Sequence, residues 1–408
     1  MSPAALSATF FLDMAVIIAV SRAVGWAARR WLGQPQVVGE MIAGVLLGPS
    51  LLGALAPGVE AMLFPADARK LLYVGAQLGV GLYMFLVGLT FDREEFRNNS
   101  RSALVVALGG MAAPFLAGAL LVPWLLGEPG VFMPQVGAAQ AALFLGASIA
   151  ITAFPMLARI IHERGIAGTA LGTLSLTSGA IGDAGAWVVV AVVLASLGQG
   201  WGGALLAGGG GLAFALFMLL LAPRLLAGLE RRAAGGLDDT LVAVTLVLFL
   251  LAAWAMDAAG MHAVFGGFLL GTAMPRGRFA EGLRDKLEPF TTLFLLPMFF
   301  TFSGLNTKLQ VIGDPRLLGM ALVIIAVSVL AKGGACYGAA RLSGHNHATA
   351  LGIGALMNAR GLMELIIINI GLAHGVIGEG LFAMLVLMAV ATTLMASPLF
   401  ELSRRAAA

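Results

Sequence analysis

The stretch Ser148-Ile149-Ala150-Ile151-Thr152-Ala153-Phe154-Pro155 places a proline and two hydroxyl side chains in the middle of the apolar run 138–162. Pro155 has no backbone donor, and it disfavours helical geometry at Phe154. A second polar interruption, Asn358-Ala359-Arg360-Gly361, lies at similar depth in the apolar run 347–374. We therefore predict two broken helices, with their breaks at Pro155 and Gly361.

The two interruptions lie about half the chain length apart. Interruptions at corresponding places in the two halves of a membrane protein are typical of transporters built from inverted repeats, with the site where the broken helices cross. The alternative is an ordinary proline kink beside an unrelated polar segment.

Composition places this chain in a membrane. Of its 408 residues, 60% are hydrophobic and only 11% are charged, whereas a soluble domain carries about 25% charged residues. Many apolar runs are long enough to cross a bilayer as helices. We predict an all-α polytopic membrane protein with about 13 transmembrane helices, at approximately 4–30, 36–54, 70–90, 102–127, 138–162, 168–198, 202–227, 239–257, 260–275, 287–305, 315–342, 347–374 and 378–403. A short turn near Asp257 to Gly260 separates two of these spans.

The basic residues indicate topology. One set of alternate loops holds most of the Lys and Arg residues, whereas the other holds only Arg69, Lys70, Lys308 and Arg316. Because Lys and Arg accumulate in cytoplasmic loops, we expect an inner-membrane protein with its N-terminus outside and its C-terminus in the cytoplasm. This distribution also argues against a nucleic-acid partner, despite the net charge of +3.

The sequence contains no pattern typical of an enzyme or of a cofactor site. Its single cysteine, Cys336, excludes a disulfide framework and a thiol metal cluster. No long polar segment follows the last apolar run, so we expect no cytoplasmic nucleotide-binding domain.

Charged residues inside the spans are the candidates for function, because a charge at the bilayer centre costs at least about 2.5 to 3.5 kcal/mol. Asp183 lies near the middle of the sixth span, where Gly179, Gly182 and Gly185 leave room for an ion and water. We predict that the Asp183 carboxylate binds a monovalent metal ion, Na⁺ or K⁺, and carries protons. The alternative is a structural hydrogen-bond partner.

Three other charges lie within spans near the breaks. Lys332 could neutralise a carboxylate, fill the space opposite the breaks or exchange protons, and a purely structural ion pair is the alternative. Arg360 and Glu364 are four residues apart and share one helix face. We predict a structural salt bridge between them, with gating or cation attraction as the alternative.

Five further residues are assigned no chemistry. We expect Asp13 and Arg22 to lie towards the membrane surfaces and Glu40 to be structural. Asp257 and His262 flank the outer turn, where we expect them to be solvated.

Several motifs in order resemble those of the cation:proton antiporters of the Kef and CHX branch, and the resemblance covers nearly the whole chain. These motifs are Gln34-Pro35-Gln36-Val37-Val38-Gly39-Glu40, Leu47-Gly48-Pro49-Ser50, Thr152-Ala153-Phe154-Pro155, Pro297-Met298-Phe299-Phe300 with Gly304, and Asn358-Ala359-Arg360-Gly361-Leu362. The resemblance implies a homodimer of 13-helix protomers. It also implies an ion-carrying core, approximately 102–198 and 315–403, a scaffold or dimerisation domain, approximately 4–90 and 239–305, and a linker helix, approximately 202–227.

The resemblance also implies roles for two residues, Asp183 and Lys332. In electrogenic relatives two adjacent aspartates occupy the place of Gly182 and Asp183, and the second of these, which binds the ion, matches Asp183. Lys332 matches the family lysine that pairs with the first aspartate, which is missing here.

Together these features predict an antiporter that exchanges Na⁺ or K⁺ for protons by alternating access. A single carboxylate favours electroneutral exchange, unless Lys332 sheds a second proton. Oxygens freed at the breaks, from Ser148, Thr152 and the Asn358 region, are the candidate ion ligands. The alternatives are an ion-coupled carrier of an organic solute on the same fold, a channel, or a sensor.

Overall fold

The structure is a computed structural model that describes residues 1–91, 93–194, 201–232, 237–305 and 314–405. Within these ranges every regular element is a helix, and the one β-bridge joins Phe132 to Ile377. Lys308, which contributes to the predicted topology, lies outside the described residues.

The helices of the first half are α1 (Pro3–Leu32), α2 (Gln36–Leu47), α3 (Leu52–Leu55), α4 (Pro57–Leu63), α5 (Ala66–Thr90), α6 (Arg93–Leu125), α7 (Ala138–Ala150), α8 (Phe154–Glu163) and α9 (Ala170–Leu194). The predicted first break is confirmed, because α7 and α8 are separate helices within one apolar run. Pro155 lies in the first turn of α8, where the missing donor would have no partner in any case.

The following helices are α10 (Trp201–Leu205), α11 (Gly211–Leu216), α12 (Ala222–Arg232), α13 (Asp239–Ala258), α14 (Ala263–Ala273), α15 (Arg278–Phe290) and α16 (Leu296–Leu305). π-Helical turns at Leu206–Gly210, Phe217–Leu221 and Thr291–Leu295 join consecutive members of this group. The predicted turn after Asp257 is confirmed: α13 ends at Ala258, and Gly260 has a positive φ of 78°, which glycine adopts without strain.

The last helices are α17 (Pro315–Leu342), α18 (His347–Leu356), α19 (Leu362–Ala373) and α20 (Glu379–Arg405). The second predicted break is also confirmed. α18 ends before Asn358, and Gly361 precedes α19 in an extended conformation.

Nine segments in the described part of the chain are long and apolar enough to cross a membrane, counting α2 with α3, α7 with α8, and α10 with α11 and α12 as single spans. Ala263–Ala273 and His347–Leu356 are shorter apolar helices. The chain is therefore a multi-pass, all-helical membrane protein, and the count of 13 spans stays a prediction.

Two sets of helices pack closely in space. In the first set, α2 contacts α1 and α16, and α5 contacts α14. Gly44 allows the close approach of α2 and α16, because a Cβ atom there would lie 2.3 Å from the carbonyl oxygen of Thr301. In the second set, α6 contacts α7, α9 and α17, and α18 contacts α17 and α20. The second set holds both breaks and thereby positions the candidate site.

Candidate ion-binding site

The two broken segments contact each other inside the protein. The backbone N–H of Ala153 donates to the carbonyl of Ala359 at 3.0 Å. The hydroxyl of Thr152 donates to the carbonyl of Met357 at 2.9 Å. The predicted crossing of the broken helices is thus present, and Thr152 and Asn358 lie buried within it.

Arg360 fills the space at the end of α7. The last carbonyls of a helix have no partner within it and carry partial negative charge. The guanidinium of Arg360 donates to the carbonyls of Ser148 and Ile149. It also forms the predicted ion pair with Glu364, at 3.2 Å. Both side chains of this pair are fully buried.

Lys332 approaches the same helix end from α17. Its ammonium donates to the carbonyl of Ala150, and the side chain is buried. Within the described residues, no carboxylate lies within 4.0 Å of this ammonium, so Lys332 forms no direct ion pair.

Asp183 lies on α9, fully buried. In the described part of the chain neither of its carboxylate oxygens has a hydrogen-bond partner. The carboxylate is directed towards the backbone N–H of Phe154, at the start of α8, and interacts electrostatically with Lys332. The N-terminus of a helix favours an anion. Two positive influences therefore act on this carboxylate.

The two glycines that precede Asp183 on α9 differ in the space around them. A Cβ atom at Gly182 would meet nothing within 4 Å, whereas one at Gly179 would lie 2.6 Å from the side chain of Leu157. Gly179 thus brings α9 close to α8, and Gly182 leaves open space on α9 one residue before Asp183.

Three side-chain oxygens at the breaks are free to accept a ligand. The amide of Asn358 donates to the carbonyl of Gly354 at 2.9 Å, and its Oδ1 atom is buried without a partner. The hydroxyl of Ser148 donates to the carbonyl of Phe144 at 2.9 Å. It keeps its lone pairs, as does the hydroxyl of Thr152. Hard cations prefer such oxygens, so this donor set fits Na⁺ or K⁺.

The structure therefore brings Ser148, Thr152, Asn358, Lys332, Arg360 and Glu364 together at the breaks, with Asp183 on the adjacent helix. Sequence reasoning missed Ser328 and Thr393. Ser328 accepts a hydrogen bond from the guanidinium of Arg360. Thr393 both accepts from the backbone N–H of Arg360 and donates to its carbonyl, at 3.0 and 2.9 Å. Ser328 lies one helical turn before Lys332, and this spacing is the only feature of the sequence that could have identified Ser328 as part of the site.

One prediction about a polar residue is wrong, the one for His262. Asp13 is fully buried on the same face of α1 as Ile17 and Ser21, and its position towards a membrane surface stays a prediction. His262 was expected to be solvated but is only 6% exposed. Its ring lies 5.6 Å from that of Trp187, and its Nδ1 atom caps α14. Asp257 is exposed, as expected, and Glu40 is buried.

The chain matches the family model described as "Sodium/hydrogen exchanger, transmembrane" over residues 16–402. It is 36% identical to the Na(+)/H(+) antiporter NhaS4 of Synechocystis over 95% of both chains. It is 30% identical to the K(+)/H(+) antiporter 1 of Saccharomyces cerevisiae, covering 90% of this chain and 43% of that protein. The fold is similar to that of the sodium proton antiporter MjNhaP1 of Methanocaldococcus jannaschii, with a TM-score of 0.66, 15% identity, and 98% of this chain and 97% of that chain covered. On these matches the chain belongs to the sodium/hydrogen exchanger family.

Proposed function

We propose that this protein is a secondary antiporter that exchanges a monovalent cation, Na⁺ or K⁺, for protons, with Asp183 as the group that carries both. One observation supports this above the others. Asp183 is a fully buried carboxylate without a hydrogen-bond partner in the described residues, and it lies beside two crossed helix breaks. Asp13 and Glu40 are also buried with unpaired carboxylate oxygens, so burial alone does not identify the carrier, and the position of Asp183 beside the breaks carries the proposal.

Competition at this carboxylate couples the two ions. When Asp183 is ionised, the free oxygens of Asn358, Ser148 and Thr152 replace part of the hydration shell of the cation. When Asp183 is protonated, the charge that attracts the cation is gone. Transport therefore falls in acidic medium, as protons occupy the site.

Alternating access follows from the charge of the site. Asp183 with a bound cation or a proton is neutral, so the core can move across the membrane. The bare carboxylate is held back by the cost of a charge in a low-dielectric environment. Since one carboxylate carries one charge in each direction, the exchange is electroneutral.

We further propose that the moving core comprises approximately 102–198 and 315–403, and the scaffold approximately 4–90 and 239–305, with a linker helix at approximately 202–227. The protein functions as a homodimer in the bacterial inner membrane, with its N-terminus outside and its C-terminus in the cytoplasm. The excess of arginine in alternate loops supports this orientation.

Replacement of the carboxylate tests the proposal. In everted membrane vesicles acidified inside, Na⁺ or K⁺ drives proton release, which relieves the quenching of a pH-sensitive dye. We expect Asp183→Asn to abolish this response to both ions. Asp13→Asn is the matched control, because Asp13 is also fully buried without a hydrogen-bond partner in the described part of the chain but lies on α1, and it should retain exchange. Exchange by Asp183→Asn at the wild-type rate would contradict the proposal.

A further inference from the structure

A second polar region lies away from the candidate ion-binding site. A cavity of about 480 Å³ is formed by α1, the turn 33–36 and the end of α8. The charged or titratable side chains that line it are Arg22, Arg29, Arg159, His162, Glu163 and Arg164. We call it the arginine cavity. With four guanidinium groups and one carboxylate, its lining repels cations and attracts anions.

Two of the four arginines form ion pairs with carboxylates. Arg159 forms an ion pair with Glu163 at 2.7 Å, and Arg164 pairs with Glu401 at 2.9 Å. Glu163 also accepts a hydrogen bond from the backbone N–H of Gln36 at the start of α2. The single carboxylate of the cavity is therefore already engaged.

The other two arginines lack such partners. Arg22 and Arg29 are seven residues apart, so they project from the same face of α1. Among the described residues, neither guanidinium forms an ion pair, and Arg29 donates only to the side chain of Gln36, at 3.2 Å. Glu40 is buried nearby and interacts electrostatically with Arg22 and Arg159, but its oxygens accept no hydrogen bond from the described residues.

Two exposed tryptophans indicate that the cavity lies at the depth of lipid headgroups. Trp26 and Trp31 lie on the same end of α1 and are 60% and 72% exposed, with ring centroids 5.8 Å apart. Exposed tryptophans concentrate where the bilayer meets water. Arg29 and Arg30, beside them, are also exposed. A ligand in the cavity is thus within reach of the membrane surface.

We propose that the arginine cavity binds the phosphate group of an anionic phospholipid. Guanidinium groups bind phosphate oxygens in paired, charge-assisted hydrogen bonds, and basic pockets between membrane helices on the cytoplasmic side are typical sites for acidic headgroups. The bound phosphate satisfies Arg22 and Arg29. It also bridges α1 to the end of α8, the second half of the first broken helix.

The test measures thermal stability of the purified full chain in detergent, with added dioleoylphosphatidylglycerol, added dioleoylphosphatidylcholine, or inorganic phosphate. We expect phosphatidylglycerol to raise the unfolding midpoint of the wild type by several degrees relative to phosphatidylcholine. Arg22→Gln/Arg29→Gln should lose at least half of this increase. The control Arg224→Gln/Arg341→Gln removes the same charge from exposed positions outside the cavity and should keep all of it.

Two results would overturn the proposal: a full phosphatidylglycerol response in Arg22→Gln/Arg29→Gln, or an equal increase with inorganic phosphate alone, which assigns the cavity to a soluble anion. If the double variant does not fold, Arg29→Gln alone decides. Arg29 is exposed at the rim, and its replacement should still lower the response, whereas an unchanged response contradicts the lipid site.

Discussion

Two buried pairs of opposite charges lie at the end of α7, and they differ in whether the two charges are in direct contact. Arg360 and Glu364 are in direct contact at 3.2 Å. Lys332 and Asp183 interact electrostatically without forming an ion pair. Both cations donate to carbonyls at this helix end, Arg360 to Ser148 and Ile149, and Lys332 to Ala150. The contacted carboxylate is neutralised by the fold itself, whereas the other remains available to a ligand.

The chemistry of the two cations explains this difference. A guanidinium is planar and carries five donors, so Arg360 bonds two carbonyls, a hydroxyl and a carboxylate at once. A lysine ammonium is a compact charge on a flexible stem. Lys332 can therefore interact electrostatically with the carboxylate of Asp183 without contacting it. We therefore propose that the arginine pair stabilises the fold and that the lysine pair acts in transport.

The largest effect is expected for Arg360→Gln. This change leaves Glu364 buried without its partner, which destabilises a protein by about 3 to 5 kcal/mol. The unfolding midpoint in detergent should fall strongly, and little folded protein should be recovered from the membrane.

The double variant Arg360→Gln/Glu364→Gln is the control. It removes both charges, so part of the lost stability should return, as expected when a buried ion pair is replaced as a unit. If Arg360→Gln alone were as stable as the wild type, the arginine pair would not be structural, and the contrast between the two pairs would fail.

A smaller effect is expected for Lys332→Gln, and it concerns transport. Because Lys332 contacts no carboxylate, its replacement leaves none unpaired. We therefore expect the free energy of unfolding to change by no more than about 1 kcal/mol. Loss of its attraction for Asp183 should lower the exchange rate by roughly tenfold. In proteoliposomes with a clamped membrane potential, the rates of both wild type and variant should be independent of the potential.

A different outcome would give Lys332 a different role in the transport cycle. If the wild-type rate tracks the potential and that of Lys332→Gln does not, Lys332 releases a second proton in each cycle. The electroneutral mechanism would then be wrong, although Asp183 would keep its role.

The sequence predicts the breaks well and their partners poorly. Pro155 and Gly361 act on their own backbone, and Arg360 and Glu364 are four residues apart on one chain segment, so local rules suffice. Thr393 and Ser328 contact Arg360 from other helices, and no local pattern reveals which helix lies opposite. The error at His262 has the same origin, because the sequence shows the turn after Asp257 but not that Trp187 packs against the histidine ring.

The smallest effect tests whether Asn358 is a cation ligand. It compares alanine variants of Gly333 and Gly334, two adjacent glycines beside Lys332. A Cβ atom at Gly333 would lie 2.8 Å from Nδ2 of Asn358 and 3.3 Å from the carbonyl oxygen of Gly354, whereas one at Gly334 would meet nothing within 4 Å. Gly333→Ala therefore displaces the amide of Asn358 and weakens its hydrogen bond to Gly354. We expect a loss of about 1 kcal/mol, or roughly fivefold in cation affinity.

The control is Gly334→Ala, which gives α17 the same gain in helix propensity without this contact. Its apparent KM for Na⁺ and K⁺ should therefore stay within about twofold of the wild-type value. Equal KM values for the two variants would exclude the free Oδ1 atom of Asn358 from the ligand set and leave the hydroxyls of Ser148 and Thr152 beside Asp183.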